Sequence, residues 1–257
     1  MKRNLLVCLL GGVGAVAATA QPVAWWKFDE TSGTTASATV GSINGALVGN
    51  SGFVAGKSGN AVSVSQAGGG LVTFGNNFDF PATSFSYSFW LKTSTTAPDQ
   101  IVLGKHTATV VAGYFTGVNQ NTPYGAANKA WAYQSSSPGN QPISSTSVND
   151  DVWHHIAVTY GSGQHRIFVD GNLEATTAGA PNVSTVAELM IGAYNTVGGG
   201  RTASFTGLVD DLQIYNSNLS DLDVRFLSQN AGQSVPEPAT MAILAGAGLA
   251  WIRRRRA

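Results

Sequence analysis

Carboxylates and histidines are the side chains of this chain with the most chemistry to offer, so their spacing is the first test. Glycoside hydrolysis needs two carboxyl groups, about 5–5.5 Å apart for retention and roughly 6.5–9.5 Å apart for inversion. On a strand the direct route is two acids at i and i+2 or i+4, projecting from one face. Asp221 and Asp223 are the one acid-x-acid pair, and they fall in a segment with a helical pattern, where i and i+2 diverge. The expectation is a non-catalytic protein; carboxylates distant in sequence leave open an atypical polysaccharide hydrolase or lyase. His154 and His155 are adjacent in a strand-like run, so they point to opposite faces and cannot share a metal ion. In phase with Trp153, Ala157 and Thr159, His155 is expected as a hydrogen-bonded histidine, while His154 joins Val152, Ile156 and Val158. Nucleophile and phosphate motifs fail as well. Residues 52–58 are one residue short of a phosphate loop, no Gly-x-Ser-x-Gly elbow occurs, and Cys8 is the only cysteine.

Charge narrows the partners. The 257 residues carry 14 Lys+Arg and 14 Asp+Glu, but six of the bases are terminal: Lys2, Arg3 and Arg253 to Arg256. Without the ends and Glu237, eight bases face 13 acids, a mildly acidic body that lacks the basic footprint nucleic acid requires.

Both ends have the form of processing signals. Lys2 and Arg3 precede an apolar run over 5–18, and Ala18-Thr19-Ala20 has the small-x-small form of a cleavage site, which predicts a signal peptide over 1–20. Cys8 lies inside it, so the processed chain is expected to hold no thiol. The G-x-G-x-x-A string at 12–17 lies in the same segment and follows no strand. At the other end, Pro236-Glu237-Pro238 is followed by a mostly apolar run over 239–252 and then four arginines. These parts, in this order, resemble the PEP-CTERM sorting signal of bacterial exported proteins. The resemblance implies transient inner-membrane anchoring through the helix and recognition by an exosortase-type transpeptidase. It also implies removal of the tail near the triplet and delivery to the cell surface or extracellular matrix. The alternative is a plain membrane anchor, for which the apolar run is short.

Between the signals, segments rich in β-branched and aromatic residues are separated by Gly, Ser, Asn and Thr. They fall at 23–28, 61–64, 71–74, 85–92, 100–105, 110–116, 129–134, 152–160, 164–170, 172–176, 188–191 and 207–215. This spacing predicts an all-β sandwich or barrel. Phe85, Tyr87, Phe89 and Leu91 alternate with serines and Trp90, a period of two that buries one face only as a strand. Asp170-Gly171 predicts a type I′ hairpin. One helix is expected, capped by Ser220, carrying Leu222, Phe226 and Leu227, and ending by Gly232. The expected layout is a body over 21–230, a linker with the Pro-Glu-Pro motif over 231–238, and a sorting helix with basic tail over 239–257.

Several phrases in order resemble the laminin G-like domains of the concanavalin A-like jelly roll. They are Trp26-Lys27-Phe28-Asp29-Glu30, the glycine-lysine turn at 56–62, the aromatic strand at 85–91, Trp153-His154-His155, the hairpin at 167–171 and Gly207 to Tyr215. The resemblance implies a two-sheet antiparallel jelly-roll sandwich over about 23–230. It also implies a structural calcium joining Asp29, turn oxygens near Gly59, and whichever of Asp210 and Asp211 faces the ion. The alternative for Asp29 is a turn cap, and for Asp210 a pairing with a surface base. Contacts belong to rim loops. Tyr124, Tyr194 and Arg201 are the candidate ligand residues, beside Gly198-Gly199-Gly200, and Trp131 is either a stacking platform or core. The expected partner is extracellular polysaccharide or a surface protein, with signal peptidase and exosortase met during export. A passive coat protein is the remaining alternative.

Overall fold

Alternation of side chains, more than propensity, decides this architecture. In a computed structural model the described residues are 20–80, 83–107, 113–120, 126–134, 141–179, 185–196 and 199–237. Ala20–Val235 form one compact unit, reaching five residues past the body expected from the sequence. Residues 1–19 and 236–257 group separately, and of these only Pro236 and Glu237 are described. The signal peptide, Tyr124, Pro238 and the sorting helix lie essentially outside the described residues. Among the described residues no helix is long and apolar enough to cross a membrane.

The strands in chain order are β1 (Ala24–Trp26), β2 (Thr35–Ala36), β3 (Gly45–Val48), β4 (Ser51–Ala55), β5 (Asn60–Val64) and β6 (Leu71–Thr73). Then come β7 (Ser84–Lys92), β8 (Gln100–His106), β9 (Gly113–Gln120), β10 (Ala126–Gln134), β11 (Ile143–Ser147) and β12 (His154–Gly161). The last are β13 (Gln164–Val169), β14 (Asn172–Ala178), β15 (Leu189–Ile191), β16 (Ala193–Asn195), β17 (Arg201–Ala203) and β18 (Gly207–Tyr215), followed by helix α1 (Asp221–Gln229). One antiparallel sheet runs β14-β13-β12-β7-β18-β5-β4 with β1 on the far half of β18; the other runs β11-β10-β9-β8-β15-β6-β3-β2. β16 and β17 form a separate hairpin.

The core lies between the two large sheets. Phe85, Tyr87, Phe89 and Leu91 of β7 meet Val102, Tyr114, Val118, Ala130 and Ala132 of the facing sheet. The Tyr87 hydroxyl and Thr116 Oγ1 pair at 2.9 Å across the interface, since a buried hydroxyl without a partner is costly. The Asp170-Gly171 turn has positive φ at both residues, 51° and 80°, as the hairpin prediction requires. β2, β3, β4, β11, β16 and β17 have no counterpart among the sequence-predicted strands. They are two to five residues long, and all but β3 are sheet edges whose pairing is imposed by a neighbour.

The outer face of the β7 sheet is not left to solvent. Ser220 opens α1 with a reciprocal capping box to Asp223, and Val224 and Leu227 are buried. They pack with Leu219 and Val235 on Ala157, Phe168 and Tyr215. Leu222, placed on the packing face from the sequence, is 75% exposed; Val224 takes that role. Ser86 is buried because it serves the returning chain, donating to the Ser217 carbonyl and accepting from the Leu219 N–H.

Candidate functional site

Three arrangements bear on function, and the first is the turn between β4 and β5. Asp29 Oδ1 accepts from the Asn60 N–H at 3.0 Å, and a side chain at Gly59 would collide with that carboxylate. Asp210 Oδ2 accepts from the N–H groups of Lys57 and Ser58 at 2.8 and 3.0 Å. A Cβ at Gly56 would come within 2.7 Å of the same oxygen. Both carboxylates therefore engage one five-residue turn, and both of its glycines are places where only hydrogen fits. The Lys57 ammonium sits 4.4 Å over the Trp90 ring, so Asp210 is held by backbone amides and not by a surface base. Asp210 is fully buried, and its Oδ1 has no hydrogen-bond partner. Burial pushes its pKa up to about 7, against the lowering effect of the Ser58 and Lys57 amides.

Asp211 serves a different purpose. The register of β18 shifts between Asp210 and Gln213, and Asp211 has φ 54°, a bulge where the strand leaves β5 and takes up β1. Its carboxylate accepts from the Trp25 indole, from Gly232 N–H at 2.7 Å and from the Gln213 amide at 3.3 Å. Gln213 also donates to the Gln233 carbonyl, and Tyr215 donates to Gln213. Burial raises the Asp211 pKa, with those donors opposing it. Asp211 ties the C-terminal arm to the sheet and does not converge on the 56–60 turn. Among the described residues no group of three or more His, Asp or Glu side chains forms a ready metal cluster. A cation at Asp29 and Asp210 would take its remaining oxygens from backbone and water, as calcium does.

The third arrangement is a cleft of about 560 Å³ on the outer face of the β8–β9–β10 sheet, walled on one side by the β16–β17 hairpin. Ile101, Phe115 and Trp131 form its apolar floor, joined by Tyr133, Ile143 and Tyr194. Phe115 meets Trp131 edge to face at 4.9 Å and stacks on Tyr133 at 4.9 Å, and His106 lies edge-on to Phe115. Gly117 pairs in register with both Ile101 and Trp131. A Cβ there would lie 2.9 Å from the indole, so this glycine is what lets Trp131 lie across β9. The size and the mix of aromatic floor with polar rim match a small-molecule or oligosaccharide site.

Of the sequence-predicted residues, the structure brings Asp29, Gly59 and Asp210 to one turn and Tyr194 to the cleft. Arg201 is held by Glu188 through two bonds of 2.8 and 3.0 Å and does not line the cleft. Pro236 and Glu237 follow the last packed residue, Val235. Sequence reasoning missed Phe115 and His106, and no local pattern points to them. The hydrogen-bonded histidine is His154, not His155. His154 Nδ1 meets Asp170 at 2.8 Å and Nε2 meets Asp150 at 3.1 Å, whereas His155 Nδ1 is buried without a partner.

Comparison with known proteins places these features. Residues 66–225 match the model of the concanavalin A-like lectin/glucanases superfamily, and residues 234–256 match the PEP-CTERM protein-sorting motif. Among solved structures, one neighbour is domain 4 of AbnA, a GH43 extracellular arabinanase from Geobacillus stearothermophilus, in complex with arabinotriose. It is 18% identical, with a TM-score of 0.63, over 82% of this chain and 100% of that one. The binding domain of Paraclostridial Mosquitocidal Protein 1 is 12% identical with a TM-score of 0.60, over 81% of this chain. Botulinum neurotoxin type C, whose cell entry depends on two ganglioside molecules, is 14% identical with a TM-score of 0.59, over 82% of this chain. This chain spans 52% and 51% of those two. No curated protein matches it.

Proposed function

The chain belongs to the concanavalin A-like lectin/glucanases superfamily, and from that membership we propose that it is an exported surface or matrix protein that binds polysaccharide without cutting it. The observation that carries this reading is the cleft: an aromatic floor of Phe115 and Trp131, with Tyr194, Thr202 and Ser204 around it. Flat rings take the apolar faces of sugars, and hydroxyl and amide groups at the rim take their hydroxyls. The neighbour in complex with arabinotriose supports the ligand class. Asp99 is the one carboxylate among the described cleft residues, and one acid does not supply the pair that either hydrolytic route needs. The Pro-Glu-Pro motif supports handling by an exosortase-type transpeptidase at the end of export.

A structural calcium is part of the proposal. Asp29 and Asp210, with carbonyl oxygens of the 56–60 turn, are the residues that would hold it, and the unpartnered Asp210 Oδ1 is the observation in its favour. Bound there, the ion would neutralise a buried carboxylate and fix the turn to β1 and β18.

Glycan-array and affinity-electrophoresis measurements on the purified protein, with a Tyr194→Ala variant, test the binding reading. Tyr194 is half-buried at the cleft, so the variant should keep its fold and weaken binding about tenfold or more. Binding that Tyr194→Ala leaves untouched would move the site elsewhere, and no binding to any glycan would end the proposal.

A further inference from the structure

Positive charge is what the described lining of the cleft lacks. None of its described lining residues is Lys or Arg. Burial holds the His106 imidazole below its ordinary pKa, so it is neutral at pH 7. The strands that build the cleft do carry bases, but each is engaged elsewhere. On β8, Lys105 is fully buried on the far side, donating to Asn76 and to the carbonyls of Thr185 and Ala187, with Asp79 at 3.2 Å. On β10, Lys129 donates to the Ser145 carbonyl and to Ser147. On β17, Arg201 is clamped by both oxygens of Glu188, which Thr73 also holds. The body as a whole carries five more acids than bases.

Resting on the glycan reading above, we infer that the cleft takes uncharged pentose or hexose chains and turns away glycans bearing uronate or sialate. An acidic sugar on the aromatic floor would lose hydration without gaining a cationic partner, and a buried unpaired charge is strongly disfavoured. An uncharged ring loses only hydroxyl hydration, which Thr202 and Ser204 are placed to replace.

The test is affinity electrophoresis of the purified protein at pH 7 and physiological salt against linear arabinan and galactan on one side and polygalacturonate on the other. The neutral polymers should bind at least about tenfold tighter. A second variant, Thr202→Lys, places one cation at the rim of β17. It should gain salt-sensitive polygalacturonate binding while the melting temperature stays put. Polygalacturonate bound as tightly as arabinan by the unaltered protein would overturn the charge inference and leave the glycan reading standing. So would a Thr202→Lys variant that still binds arabinan yet gains nothing toward polygalacturonate. Binding to none of the polymers would end both.

Discussion

Replacing Asp210 by asparagine is the perturbation with the sharpest expected result. In the folded protein, burial raises this carboxyl from the ordinary 3.8 to about 7. At about 1.4 kcal/mol for each tenfold step, the ionised form costs about 4 kcal/mol of stability above pH 7 when no cation is present. The sign follows from proton uptake. Between pH 3.8 and 7 the folded state holds a proton that the unfolded state has released, so stability falls as pH rises through that window. An asparagine side chain has the shape of the protonated acid and keeps an oxygen for the Lys57 and Ser58 amides. In chelator at pH 8, Asp210→Asn should therefore melt higher than the unaltered protein, by as much as about 8–16 °C for a domain of this size. The gap should close near pH 4. Calcium at a hundred times its dissociation constant should add about 2.7 kcal/mol to the unaltered protein and nothing to the variant. Differential scanning calorimetry at pH 4, 6 and 8, with chelator and with calcium, reads all of this. Parallel pH profiles for the two proteins would refute the buried-carboxyl reasoning. A calcium response of equal size in both would remove Asp210 from the ion.

Other substitutions probe the remaining joints. Asp170→Asn removes the main partner of His154, which holds that histidine above its ordinary pKa; the stabilisation is present below about pH 6.5 and is lost as pH rises through the folded value. The variant should lose about 1 kcal/mol at pH 6, after allowing for the half-exposed carboxylate, and less at pH 8, by urea melts at the two pH values. Gly117→Ala forces the Trp131 indole off β9; we expect a loss of about 1–3 kcal/mol with weaker glycan binding and altered tryptophan fluorescence. Tyr87→Phe leaves the Thr116 hydroxyl alone between the sheets and should cost about 1–3 kcal/mol in denaturant unfolding.

The sandwich was legible in the sequence where one strand carries one apolar face. Phe85, Tyr87, Phe89 and Leu91 announce β7, Asp170-Gly171 announces a turn that only positive φ can make, and Ser220 announces a helix start. The cleft was not legible, and β9 and β10 show why. Tyr114 and Phe115 are consecutive aromatics, and nothing local says which one faces inward. On β10, Trp131 and Tyr133 alternate with alanines, a pattern in which the large residues look like the core. The opposite holds. Phe80, Tyr87 and Tyr114 fill the interior so fully that Ala130 and Ala132 suffice on the inner side, and the tryptophan is released to the outer face. Which face of a strand is the core is set by what the facing sheet brings, a long-range fact.

The adjacent acids of β18 explain why the cleft lies on one sheet and not the other. The bulge at Asp210 and Asp211 turns two neighbouring carboxylates to different tasks, one holding the 56–60 turn and the other the arm that returns from α1. Through Gly232, Gln233 and Val235, that arm is fixed over the outer face of the β7 sheet, where Val224 and Leu227 cover Phe168 and Tyr215. The β7 sheet thus spends its second face on the chain's own C-terminal segment. The outer face of the β9 sheet instead carries the cleft beside Phe115 and Trp131, with Tyr194 and the β16–β17 hairpin at its side. A variant of Asp211, such as Asp211→Ala, should loosen the arm and raise proteolysis after Gly232 while glycan affinity stays unchanged. Loss of glycan binding in that variant without loss of fold would show that the two faces are coupled, against this division of labour.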